Sequence, residues 1–142
     1  MKFMILLTSS ADSEAGVMPS TELLAEMGAF NEALVKAGVM VAGEGLQATS
    51  KGARVLFDGK DRTVVQGPFP LSDRPVAGFW IWDVASKDEA IAWVKKCPNP
   101  MGQTAEIEIR QIFEAADFAD ADPTGELMAK EEALRAQSAA RG

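Results

Sequence analysis

The chain contains no histidine and no tyrosine, and its only cysteine is Cys97. The first absence excludes any mechanism that needs an imidazole as base, acid or metal ligand. A lone cysteine excludes an internal disulfide framework and fits a reducing compartment, so a cytoplasmic location is expected. No apolar run approaches the roughly 18 residues of a membrane span. Phe3 to Leu7 after Lys2 is shorter than the ~7–15-residue core of a secretory signal, and no A-x-A-like cleavage site follows. Lys and Arg number 14 against 21 Asp and Glu, a net charge of −7. That excess of acid disfavours nucleic-acid and anionic-membrane partners. The glycine spacings that cradle phosphates and the acidic spacing of a calcium loop are both missing, so neither a cofactor nor a metal is expected. There is no internal repeat.

What remains is an ordinary globular composition over 142 residues, 47% hydrophobic and 25% charged, enough for one self-sufficient core. Phe3-Met4-Ile5-Leu6-Leu7 reads as a buried strand, followed by a polar loop with Gly16 and Pro19. Ser20 or Thr21 offers a helix N-cap, and Leu23, Met27, Phe30 and Leu34 recur as one apolar stripe. Glu32 and Lys36 form an i,i+4 pair, and Gly38 stands where a glycine ends a helix. Val39-Met40-Val41 begins a strand that Gly43-Glu44-Gly45 is expected to interrupt. Arg54–Phe57 and Thr63–Val65 flank Asp58-Gly59-Lys60-Asp61, a hairpin signature. Gly78 to Val84 is a β-prone strand. Ser86 and Glu89 form a capping box for a helix that turns Ala90, Ile91, Val94 and Cys97 inward and ends before Pro98 and Pro100. Glu106 to Phe113 reads as the last strand, with Ile107 and Ile109 on one side and Glu108 and Arg110 on the other.

The succession is a β-α-β-β-α-β pattern with an extra β-hairpin, the ferredoxin-like α+β arrangement. Both helices would cover one sheet face. The first strand and the Trp80–Trp82 strand are apolar on both faces, so the second face also needs cover. A second copy of the chain is the simplest cover, giving a homodimer. Residues 1–113 are read as the domain and 114–142 as an acidic, helix-prone extension with Glu126–Lys130 and Glu131–Arg135 pairs.

Five segments in order carry a resemblance: Gly43-Glu44-Gly45-Leu46, Gln66-Gly67-Pro68-Phe69, Ala77-Gly78-Phe79-Trp80, Cys97-Pro98-Asn99-Pro100 and Glu106-Ile107-Glu108-Ile109-Arg110. Together they resemble the YCII-related proteins, and more narrowly the branch known as DGPF-domain proteins. The resemblance implies a ferredoxin-like fold and a dimeric α/β-barrel arrangement with sheet packed on sheet. It also brings in an association with extracytoplasmic-function sigma factor systems. Two departures stand out. The aspartate that names the DGPF motif is Gln66 here, and the acidic-basic segment that usually follows the motif is Pro70-Leu71-Ser72-Asp73-Arg74. The His–Asp pair proposed as active in YCII-type proteins has no histidine to form it.

Glu44, between two glycines, is the candidate catalytic residue, a general base if desolvated, against a solvated turn. Gln66, Gly67, Pro68 and Phe69 offer a pocket wall with one amide, or simply a turn. Arg54, Arg74 and Arg110 are the nearby cations. Arg110 is the candidate for an anionic substrate group, with an ion pair to a glutamate of the sheet as the plain alternative. Trp80 can wall a ligand or pack the core. Cys97, at a helix C-terminus, reads as a packed thiol rather than a nucleophile. Two functions follow: a small-molecule cleft at a dimer interface with acid/base chemistry, or a non-enzymatic accessory or regulatory protein of a sigma-factor system. Whether the chain is an enzyme at all stays open at this level.

Overall fold

Phe3 and Ile5 point to one side of the first strand and Met4 and Leu6 to the other, and the fold is arranged around that alternation. A computed structural model describes residues 1–141. Strands β1 (Lys2–Thr8), β2 (Met40–Gly45), β5 (Val76–Asp83) and β6 (Ile107–Gln111) form an antiparallel sheet in the order β2-β5-β1-β6. Strands β3 (Ala53–Asp58) and β4 (Asp61–Gln66) form a separate two-stranded hairpin. Helices α1 (Ala11–Glu14), α2 (Thr21–Lys36), α3 (Lys87–Lys95) and α4 (Glu126–Arg141) complete the elements used below. The strand order and the two long helices of the first unit are consistent with a ferredoxin-like α+β fold carrying an inserted hairpin.

Register places Phe3 opposite Trp82 and Ile5 opposite both Trp80 and Ile109. These residues share the face that α2 and α3 cover. Phe30 and Leu34 from α2 and Ala90 from α3 join Phe3, Ile5, Trp80 and Trp82 in one buried cluster. Phe30 meets the rings of Trp80, Trp82 and Trp93 edge-on, with centroids 5.7, 6.1 and 6.3 Å away, the geometry that aromatic quadrupoles favour. Met27, Phe30 and Leu34 of the expected stripe are therefore the packed face of α2.

The helix ends follow local chemistry. The Ser20 hydroxyl accepts from the Leu23 N–H at 3.1 Å and the Ser86 hydroxyl from the Glu89 N–H at 3.1 Å. The Glu89 carboxylate accepts from the Ala85 N–H, one residue earlier than a strict capping box requires. Gly38, at φ 73°, ends α2 in a Schellman motif, with Gly38 N–H donating to Val35 and Val39 N–H to Leu34.

Three expectations need correction. The segment after Ser10 is not simply a polar loop, because Ser10 and Ser13 close a capping box around the one-turn helix α1. The glycines at 43 and 45 do not interrupt the second strand. β2 runs through them, with Gly43 opposite Trp80 and Gly45 opposite Gly78. The last strand ends at Gln111 rather than Phe113.

The chain divides into two compact units, Met1–Gln111 and Ile112–Gly142. In the second, the buried Asp122 carboxylate accepts from the Leu127 and Met128 N–H groups at 3.2 and 2.9 Å, anchoring the start of α4. The i,i+4 pairs expected along α4 are replaced by an i,i+3 contact, Arg135 with Glu132 at 2.9 Å. The Glu32–Lys36 pair on α2 forms at 3.7 Å. No helix among the described residues is long and apolar enough to cross a membrane.

Candidate functional site

The sheet face away from α2 and α3 presents two cross-strand rows. Glu44, Phe79, Leu6 and Glu108 stand side by side in one, and Ala42, Ile81, Met4 and Arg110 in the next. Alternation with the buried set puts these residues on the opposite face. Met4, Leu6, Phe79 and Ile81 are half-buried, whereas Glu44, Glu108 and Arg110 are exposed. The face is thus an apolar strip with charged ends, and no helix of the first unit lies on it.

This arrangement gathers two of the sequence-predicted site residues, Glu44 and Arg110, at opposite edges. The Glu44 carboxylate has no hydrogen-bond or ion-pair partner among the described residues, and Glu44 lines neither of two clefts, one in each unit. Three strand spacings of roughly 4.8 Å separate Glu44 from Glu108, so the two stand about 14 Å apart. Carboxylate pairs that cleave a glycosidic bond stand roughly 5–9.5 Å apart, and those that share a proton stand closer still. Within one chain they cannot work as such a pair. Arg110 pairs with Glu108 on its own strand at 3.2 Å, not across strands. Both groups are well exposed, so the contact adds little stability and leaves the guanidinium available.

Trp80 is only 6% exposed, and its indole N–H donates to the Asn31 side-chain oxygen at 2.9 Å. It lies on the helix-covered face, opposite in direction to Glu44. A Cβ at Gly43 would stand 2.6 Å from Trp80 Cδ1. Gly43 therefore makes room for the indole.

Gln66, Gly67, Pro68 and Phe69 belong to a different network. The Gly67–Pro68 peptide is cis. A Cβ at Gly67 would fall 1.8 Å from the Thr49 carbonyl oxygen, so only glycine allows the chains to pass this closely. The Phe69 N–H donates to the Thr49 hydroxyl at 2.9 Å, and that hydroxyl donates to the Glu14 carboxylate. Thr49 N–H donates to the same carboxylate at 3.1 Å. Arg54 lies 3.8 Å from the Phe69 ring centroid and pairs with Asp73 at 2.7 Å. The motif is thus clamped to the end of α1 and to the segment at Thr49, while the exposed Gln66 side chain has no partner in that clamp. Glu14 and Thr49 carry no sequence signal for this role, because they meet 35 residues apart.

Arg74 has a left-handed backbone, φ 53° and ψ 57°, and its guanidinium pairs with Glu106. The Cys97 thiol is pushed up to about 11 by burial and donates to the Pro98 carbonyl at 3.2 Å, consistent with a packed rather than a reactive thiol. No group of three or more cysteine and carboxylate side chains among the described residues could hold a metal ion.

A family model described as the YCII-related domain matches residues 1–116. No curated protein matches the chain.

Proposed function

Because the chain belongs to the YCII-related domain family, we propose that it is a homodimeric small-molecule-binding protein whose cleft forms where two open sheet faces meet. The observation that carries this reading is the strip of Met4, Leu6, Phe79 and Ile81 on a sheet face that no helix of the first unit covers. Apolar side chains in both directions along β1 and β5 call for a layer on each side of the sheet. A two-fold pairing of the face supplies that layer and gives the sheet-on-sheet, dimeric α/β-barrel arrangement. The hairpin supports the same reading. Val55, Leu56, Phe57, Val64 and Val65 are all exposed, and an isolated two-stranded ribbon is marginal in water.

Dimerisation would change the chemistry of the rim. Glu44, solvated in the single chain, would become desolvated beside a partner's apolar strip, where a carboxylate serves as a general base. Arg110 would bind an anionic group of the ligand. Trp80 and the Gln66–Phe69 segment then act as support for the sheet and the adjoining loops. Within the family, Gln66-Gly67-Pro68-Phe69 resembles the motif of the DGPF branch with glutamine in place of its aspartate, which supports a relation to that branch, and the cysteine usage fits the cytoplasm.

Light scattering of the full chain at micromolar concentration should give twice the 15.1 kDa chain mass. Leu6→Lys should return the monomer with its fold retained. A metabolite screen by thermal shift should then find a ligand whose effect Glu44→Gln abolishes, with stability changed by no more than about 1 kcal/mol. A stable monomer would overturn the reading and favour the accessory role, with the hairpin free for a different protein.

A further inference from the structure

A cleft of about 320 Å³ lies at one end of the sheet, where β1 runs out and β5 and β6 begin. Thr8 and Ser9 form one wall, Arg74 a second, and the segment from Met101 to Glu106 the third. Two backbone features shape it. The β1–β5 register slips between Leu7 and Thr8, so that Leu7 faces Gly78 but Thr8 faces Val76. Bulges of this kind re-aim side chains beside functional sites. Arg74 is the one non-glycine residue with positive φ among the described residues, a conformation that L side chains adopt rarely and that clusters at binding sites.

The lining carries one cation and one anion, Arg74 and Glu106, which pair with each other. Its other polar groups are the hydroxyls of Thr8, Ser9 and Thr104 and the Gln103 amide, all neutral and able to donate and accept, while the Ser10 hydroxyl is held in its capping box. We propose that this cleft binds a small zwitterion of the α-amino-acid class, its carboxylate on the Arg74 guanidinium and its ammonium on Glu106. An anion alone would leave Glu106 unpaired beside the ligand, and a cation alone would do the same to Arg74. A zwitterion exchanges one neutral pair for two and leaves no charge uncompensated. The resident pair is 57% and 61% exposed, so opening it costs little. The neutral hydroxyls and amide suit a short polar side chain. The site draws on one chain only and needs neither the open sheet face nor a second copy.

Calorimetric titration of the full chain with glycine, L-alanine, L-serine and L-threonine tests this, with glycolate and ethanolamine as the singly charged halves. At least one amino acid should bind, and both halves should bind about tenfold more weakly or worse, the usual worth of a hydrogen-bonded charged contact. Arg74→Gly removes the guanidinium while suiting the left-handed backbone, so the variant keeps its fold. Glu106→Gln removes the anion alone. Each should weaken the best amino acid about tenfold or more, with unfolding midpoints reported alongside. Glycolate binding as tightly as that amino acid, or Glu106→Gln tightening it, would make the cleft an anion site and overturn the proposal. So would the absence of binding by all four amino acids at about 10 mM.

Discussion

Gly43 sits opposite Trp80 in the sheet, and the indole fills the volume in which any other residue at position 43 would place its Cβ. The contact distance, 2.6 Å to Cδ1, falls on a buried ring whose N–H is already held by Asn31. The neighbouring Gly45 differs, since a Cβ there meets nothing within 4 Å.

Gly43→Ala should therefore destabilise the protein by about 1–3 kcal/mol, the range for overpacking a core. Gly45→Ala should lie within about 0.5 kcal/mol of the parent, as for most surface positions. Denaturant unfolding of the two variants checks the contrast, and equal effects would count against the assignment of Gly43 to the indole.

The Thr49 hydroxyl both accepts from Phe69 and donates to Glu14. Thr49→Val keeps the shape and removes both bonds, leaving a part-buried N–H and a part-buried carboxylate short of partners. The expected loss is about 1–3 kcal/mol. Hydrogen exchange should show faster opening at Phe69, and an unchanged Phe69 amide would contradict the clamp.

Burial raises the Cys97 thiol to about 11 in the folded chain, against ~8.5 for a free cysteine. A folded-state value above the unfolded one means that this contribution to stability is fully present below about pH 8.5 and lost as pH rises to 11. Unfolding measured from pH 8 to 11 should show Cys97→Ser losing less stability across that window than the parent. Alkylation of the folded protein at pH 8 should be slow and should accelerate on unfolding. Cys97→Ser should leave ligand binding unchanged.

Asp122 accepts from two N–H groups at the start of α4. Asp122→Ala should cost the helix about 1–2 kcal/mol, as other lost caps do. Loss of helical ellipticity without a change in the tryptophan signal of the first unit would locate the effect.

How much of this was legible in the sequence depends on the range of the interaction. The stripe on α2, the Ser20 and Ser86 caps and the Gly38 stop are set by residues within a turn or two of one another, and they stand where periodicity and capping chemistry put them. The alternation that separates Ile107 and Ile109 from Glu108 and Arg110 is equally local. The glycines at 43 and 45 misled because glycine ordinarily punctuates a strand, whereas here the reason for one of them is a tryptophan 37 positions away on the neighbouring strand. Helix α1 is too short to show a period. The motif at Gln66–Phe69 is visible in the sequence, but its partners Glu14 and Thr49 are joined to it only by tertiary contact. The same holds for Arg74, which reads as one more surface cation until its backbone conformation and its contact with Glu106 are seen.

The aromatic cluster has an optical consequence. With no tyrosine in the chain, ultraviolet emission from the folded protein is almost entirely that of its three tryptophans. Trp80 and Trp82 lie 5.6 Å apart, both buried, and Trp93 joins them through Phe30. Two indoles this close should couple their transitions and give a paired near-ultraviolet dichroic band that vanishes when the ring geometry is lost. All three belong to the helix-covered side of the first unit, and residues 112–142 contain no tryptophan. The chain thus carries a built-in spectroscopic reporter of one layer of its structure, reading the melting of that layer and staying quiet for events elsewhere.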